Sequence, residues 1–303
     1  MIALVSRFTP RQKALLAITI SSLFFSLMSA ITKAATSSQY MLHPLPGGVL
    51  AFYRYAGSLI VLLGMRQVLG VPLLGNDRVG LVWRGVSGGI AATLFFVSLQ
   101  QTSLTHSVLL NYTSLIWGPL FAMFALRERL SSRYLFILPI GLVGVVIVTH
   151  PEMSGVHIGD GIALISGIVS GSAIVQIRRL RRTEAASSIF FYFNLLGMPI
   201  SFLVLTLSHT PLTLPTLAQL PFVAGVVFSS VLGQMLMTYS FRELSTAEGG
   251  LLSMTTNLYS PLIAIVFFQD HLHTSTLIGG ALILFSSCTL ILNNQKPKAK
   301  KPQ

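Results

Sequence analysis

Two cations stand inside otherwise apolar stretches of this sequence, Lys33 and Arg54. A charge in a hydrocarbon environment is costly and is kept where it meets water, a partner or a bound ion. Arg54 lies in the segment AFYRYAGS, flanked by Tyr53 and Tyr55. It could line an internal cavity or anchor an interfacial aromatic belt. Lys33 could do the first, or extend its stem and snorkel to the surface. Polar and aromatic groups gather in four further apolar stretches. These hold Gln100 and Gln101; Asn111, Tyr112, Thr113, Ser114 and Trp117; Gln234 and Tyr239; and Ser253, Thr255, Thr256, Asn257 and Tyr259. Such groups bind a small solute by hydrogen bonding and stacking. Singly, each is more often a hydrogen-bonding tie between helices; the cluster as a whole points to a cavity. No Asp or Glu lies in the middle third of any apolar stretch, so the positive site favours a small-molecule substrate bearing a carboxylate or another anionic group.

Covalent and metal chemistry find little support. Asp270, His271 and His273 are close in sequence but have no fourth partner, and an enzyme needs a paired acid and base or a ligand cluster at one depth. Cys288 is the single cysteine, so it forms neither an internal disulfide nor a metal site alone. No motif calls for a cofactor or a metal, and the sequence does not point to an enzyme.

The elements that must position these groups follow from composition. Of the 303 residues, 52% are hydrophobic and only 9% charged, and mean hydropathy is +0.75. A soluble domain carries roughly a quarter of its residues charged. Lipid is therefore the outer solvent. The net charge of +12 is spread between apolar runs, whereas a nucleic-acid surface gathers it on one face; no nucleic-acid partner is expected. The apolar runs predict ten transmembrane helices, each near the roughly 20 residues that cross a bilayer. They are Ala14–Ala34, Val49–Leu69, Val82–Thr102, Ser107–Leu126, Tyr134–Thr149, Ile158–Ile177, Ser187–Leu207, Leu220–Phe241, Thr246–Phe268 and Thr274–Leu292. Helices are required because backbone groups in lipid must pair within their own segment.

Basic residues give the orientation. Assigned to alternate connections and the two tails are Arg7, Arg11, Lys13; Arg66, Arg78, Arg84; Arg127, Arg129, Arg133; Arg178, Arg179, Arg181, Arg182; Arg242; and Lys296, Lys298, Lys300, Lys301. These are 18 of the 20 Lys and Arg. The opposite connections hold none. By the positive-inside rule both ends are cytoplasmic.

Residues 98–149 align without a gap on 240–291 at an offset of 142. Ser98 meets Ser240, Thr113 meets Thr255, Pro119 meets Pro261, and Glu128 meets Asp270. Each proline removes a helical hydrogen bond and crowds the carbonyl one turn back, at Leu115 and Asn257, so Pro119 and Pro261 are helix-kink candidates. Five helices per half make the second half enter the membrane from the other side. Inverted repeats of this kind underlie alternating access in many transporters. The expected units are residues 1–154, residues 155–295 and a basic cytoplasmic tail, 296–303. Gly85 with Gly89, and Gly167 with Gly171, have the spacing that lets helix backbones approach.

The hairpin SLIWGPLFAMFALRERLSSRYLFILPIGLVGVVIV and its counterpart NLYSPLIAIVFFQDHLHTSTLIGGALILFSSCTLIL resemble the paired hairpins of the drug/metabolite transporter superfamily, in its EamA-type branch. The resemblance covers essentially the whole chain. It implies a secondary carrier of the bacterial inner membrane with a central cavity lined largely by the third, fourth, eighth and ninth helices. It also implies export of amino acids or other small metabolites, and a dimer surface on the fifth and tenth helices. Pro139 in the first hairpin faces Ala281 in the second, so the halves differ there.

Overall fold

The computed structural model describes residues 8–125, 157–244, 246–253, 255–269 and 274–294, with isolated positions between 137 and 147. All regular structure among the described residues is α-helical. The helices are α1 (Pro10–Thr36), α2 (Gly47–Leu69), α3 (Arg78–Gln101), α4 (Leu104–Asn111), α5 (Ser114–Ala125), α6 (Ile158–Leu180), α7 (Ala186–Leu207), α8 (Leu220–Ser240), α9 (Thr246–Ser253), α10 (Thr256–Phe268) and α11 (Thr274–Asn294). Among the described residues seven helical segments are long and apolar enough to cross a membrane: α1, α2, α3, the run Leu104–Ala125, α6, α7 and α8. The expected fifth helix, with Glu128, Asp270, His271, His273 and the 296–303 tail, lies largely or wholly outside the described residues.

Local chemistry sets the helix ends. Thr9 and Gln12 form a reciprocal capping box before α1, with Pro10 in the first turn, which satisfies two orphan N–H groups. Asp77 caps α3 through Gly80 N, and Ser103 caps α4 through His106 N. Gly70 closes α2 at φ +65° with its N–H on Arg66 O, a left-handed conformation that glycine adopts without penalty.

The expected fourth and ninth spans are each broken into two helices. The interruptions fall at Tyr112–Thr113 and at Thr255, ahead of the prolines. Pro119 is the sixth residue of α5 and Pro261 the sixth of α10. The starts of α4 and α9, and of α5 and α10, are separated by the offset of 142 seen in sequence. Packing repeats in the same way. The two most extensive helix pairings are α1 with α8 and α3 with α6, which exchange when the halves are swapped.

Bilayer lipid gives no hydrophobic drive between helices, so close packing holds such a bundle. A Cβ on Gly89 would stand 2.8 Å from Gly197 Cα, where α3 crosses α7. A Cβ on Gly171 would stand 2.7 Å from Trp117 Cβ, where α6 crosses α5. Both glycines are there because the backbones meet. Large apolar side chains such as Leu207, Phe228, Phe124 and Phe267 point outward, as a lipid-facing surface requires.

The two ends of the bundle differ in charge. At one end, Arg11 pairs with Glu248 at 2.9 Å and Arg179 with Asp77 at 3.1 Å. Glu184, buried, accepts from Asn76 N and Asp77 N. Arg178 donates to Phe241 O and Arg242 O, and Arg181 to Thr238 O, so the α6–α7 connection caps the last turn of α8. Burial lowers Arg181 from the usual guanidinium value, and neighbouring Arg242 adds to the effect. At the other end, Thr102 donates to buried Asp160 at 2.7 Å, with His106 Nδ1 3.5 Å from the same carboxylate oxygen.

Candidate functional site

Between these ends lies a cavity of about 150 Å³, walled by α1, α3, α4, α6, α7 and α8, with contributions from α2, α5, α9 and α10. Aromatic side chains form much of its wall, among them Phe25, Phe95, Phe96, Phe193 and Phe241. Two arginines enter it. Arg54 comes from the second turn of α2 and Arg84 from the second turn of α3, near opposite ends of the bundle. Arg54 is 2% and Arg84 3% exposed, far below what a solvated cation shows.

The arginines are held chiefly by rings. The Arg54 guanidinium carbon lies 4.8 Å from the Tyr55 ring centroid, 5.0 Å from Phe193 and 5.5 Å from Phe96. Arg84 lies 4.6 Å from the same Phe193 ring. Each such contact is worth about 0.5–2 kcal/mol, more when desolvated. Tyr55 is fixed in turn by donating to Gly89 O at 3.0 Å. Arg54 Nε donates to Ser230 Oγ at 2.7 Å, tying α2 to α8. Arg54 Nη1, Arg84 Nε and Arg84 Nη1 are buried with no hydrogen-bond partner. Gln234 Nε2, also on the cavity wall, has none either.

The charges do not balance. Among the described lining residues there is no Asp or Glu. Because both guanidinium carbons sit against one ring, they are within about 10 Å of each other. At an effective dielectric near 20, like charges at that separation repel by roughly 1.5 kcal/mol. The cavity thus holds two buried cations with unpaired N–H groups, close enough to repel each other, and no carboxylate among its described lining residues.

Of the residues singled out in sequence, Arg54, Asn111, Tyr112, Ser114, Gln234, Ser253 and Thr256 line the cavity together. Asn111 also donates to Ser166 Oγ at 2.6 Å, and Ser166 donates to Ala91 O, so it is both wall and tie. Lys33, Tyr53, Gln100, Trp117, Tyr239 and Tyr259 are not among the lining residues. Lys33 Nζ caps the end of α3 by donating to Thr102 O at 2.8 Å and Leu99 O at 3.2 Å. Tyr53 donates to Thr213 O at 2.8 Å, and Gln100 accepts from Gly47 N at the start of α2. Trp117 packs against Gly171 with Nε1 buried and unpartnered. Tyr239 is exposed and Tyr259 half-buried. The side chains of Asn257 and Pro261 lie outside the described residues.

Arg84 corrects the sequence reading, which took it as a loop charge and counted only Lys33 and Arg54 within spans. The helix begins at Arg78, so Arg84 is already inside it. The available signal was its setting: the run GLVWRGVSGG keeps Arg84 among apolar and small residues on both sides. Phe193 was also missed, since phenylalanine in an apolar helix carries no mark of its own.

The model of the EamA-like transporter family matches this sequence twice, over residues 12–150 and 157–292. The chain belongs to that family. It is a multi-pass membrane transporter, as the family and its relatives are. It is 25% identical over 274 residues to the Pseudopaline exporter CntI of Pseudomonas aeruginosa, covering 89% of this chain and 93% of that one. It is 23% identical to the S-adenosylmethionine uptake transporter of Rickettsia bellii, over 91% of this chain and 94% of that one. A solved crystal structure matches at TM-score 0.70 and 18% identity, covering 94% of this chain and 99% of that one. That likeness speaks to the fold alone.

Proposed function

We propose that the protein is an inner-membrane exporter that carries carboxylate-bearing small metabolites, amino-acid-like or related, out of the cytoplasm by alternating access. The observation that carries this reading is the central cavity with two buried, incompletely paired arginines and no described acidic lining residue. A neutral or cationic solute would leave those charges unsatisfied in a low-dielectric site, which is strongly unfavourable. The remaining wall, apolar and aromatic with Asn111, Tyr112 and Gln234, suits a solute with a small organic body.

The proposed architecture is ten spans in two inverted five-helix units, residues 1–154 and 155–295, with both ends and the 296–303 tail cytoplasmic. Support comes from the segregation of arginines to one end of the bundle and from the exchange of packing partners between halves. The cavity lies between helices of both units, where rocking of one against the other would expose it to either side in turn. A homodimer through the fifth and tenth helices is part of the proposal; exposed Leu277, Ile278 and Phe285 on α11 offer an apolar face for it.

The test is a metabolite comparison of cells with and without the protein. The proposal expects carboxylate-bearing small metabolites to deplete inside and appear outside only when the protein is present. Movement confined to cations or neutral solutes, or inward accumulation alone, would overturn it.

A further inference from the structure

The two arginines also set the charge of what the cavity accepts, and this deepens the reading above and rests on it. Arg54 and Arg84 come from different helices and different depths, yet both reach the Phe193 ring. Ser230 Oγ is a neutral acceptor and satisfies only the Nε of Arg54. One N–H-bearing nitrogen of Arg54 and two of Arg84 remain buried without acceptors. A guest with one negative group neutralises one guanidinium and leaves the other buried and unpaired. A buried charge without its partner is among the costliest arrangements a protein interior holds. Two anionic groups on one guest neutralise both and supply acceptors on each side. The same charge balance leaves an ammonium group without a carboxylate among the described lining residues, so within the carboxylate-bearing metabolites proposed above it narrows the choice to those without an ammonium group.

We infer that the cavity selects dianionic solutes, specifically short dicarboxylates, with one carboxylate on Arg54 and the other on Arg84. The carbon chain between them packs on the ring of Phe193 and against Phe96. Arg84 is then a specificity-determining residue: it distinguishes a diacid from the corresponding monoacid, while Arg54 receives the carboxylate common to both.

The experiment is calorimetric titration of the purified full-length protein with glutarate, its monoamide and glycerol phosphate. Wild type is expected to bind glutarate at least about 30-fold more tightly than the monoamide, the loss typical of leaving one member of a buried charge pair unmatched. Arg84→Met should bring the two affinities within about threefold, chiefly by weakening glutarate. Arg84→Lys, which keeps the charge, should retain part of the preference and guards against a misfolded methionine variant. Equal binding of glutarate and monoamide by wild type would overturn the dianion inference while leaving carboxylate transport standing. Preference for glycerol phosphate over glutarate would overturn the dicarboxylate assignment. Binding of none of the three, with a neutral or cationic metabolite moving in the cell comparison, would bring down the carboxylate reading itself.

Discussion

Replacing Arg84 by methionine is expected to make the empty protein more stable while removing its preference for diacids. Two Arg84 nitrogens are buried without hydrogen-bond partners, and each unpaired buried donor costs about 1–3 kcal/mol. Against roughly 4 kcal/mol of such cost stands the contact with the Phe193 ring at 4.6 Å, worth about 2 kcal/mol when desolvated. The net burden is about 2 kcal/mol. Methionine fills much of the arginine's volume, favours helix and adapts to irregular space, so the cavity wall should close without strain. For a chain of this size each kcal/mol moves the melting midpoint by about 2 °C, and Arg84→Met should melt about 4 °C above wild type in the same detergent. Intrinsic fluorescence during heating measures this. In parallel, glutarate should raise the melting midpoint of wild type by clearly more than its monoamide does, whereas the two should shift the variant alike. A variant that melts lower than wild type, yet responds to the two ligands as wild type does, would refute the reasoning: Arg84 would then be a structural anchor.

Further expectations concern the frame around the cavity. Gly89→Val places a branched side chain where α3 meets Gly197 of α7; overpacking there should cost about 3 kcal/mol and show as loss of the monodisperse peak in size-exclusion chromatography. Glu184→Ala removes the acceptor of Asn76 N and Asp77 N. Losing a charged hydrogen-bond partner at a buried site costs about 1.5–3 kcal/mol, and limited proteolysis should cut the α2–α3 connection faster. Ser230→Ala leaves Arg54 Nε without its acceptor; a destabilisation of about 1–3 kcal/mol is expected, with a carboxylate ligand recovering part of it.

The apolar lengths of the sequence were enough to place the helices that the described residues form, because crossing lipid demands long runs whose backbone pairs internally. The segregation of arginines was legible for the same reason: few other residues are charged. The interruptions inside the expected fourth and ninth spans were not legible as breaks. The prolines marked the right helices, but the chain departs from helix at Tyr112–Thr113 and before Thr256, ahead of each ring. Arg54 stood out because it sits deep in an apolar run. Arg84 did not, since a charge-counting rule assigns a basic residue near a helix end to the connection. Which face a side chain takes depends on helix rotation, and here that is fixed by contacts such as Gly89 on Gly197 and Gly171 on Trp117. Those contacts join residues far apart in sequence. They turn Trp117 against α6, whereas Tyr112 reaches the cavity wall.

The central claim is that carboxylates cross by way of the arginine-lined cavity. Efflux of radiolabelled glutarate from loaded proteoliposomes tests it most directly, with wild type, Arg54→Met and Tyr53→Phe compared at equal protein. Tyr53 neighbours Arg54 in sequence but bonds to Thr213 O away from the cavity, so its variant reports on general disturbance of α2. The account predicts efflux in wild type and Tyr53→Phe and its loss, by at least about 30-fold, in Arg54→Met. Undiminished efflux through a folded Arg54→Met protein would contradict it.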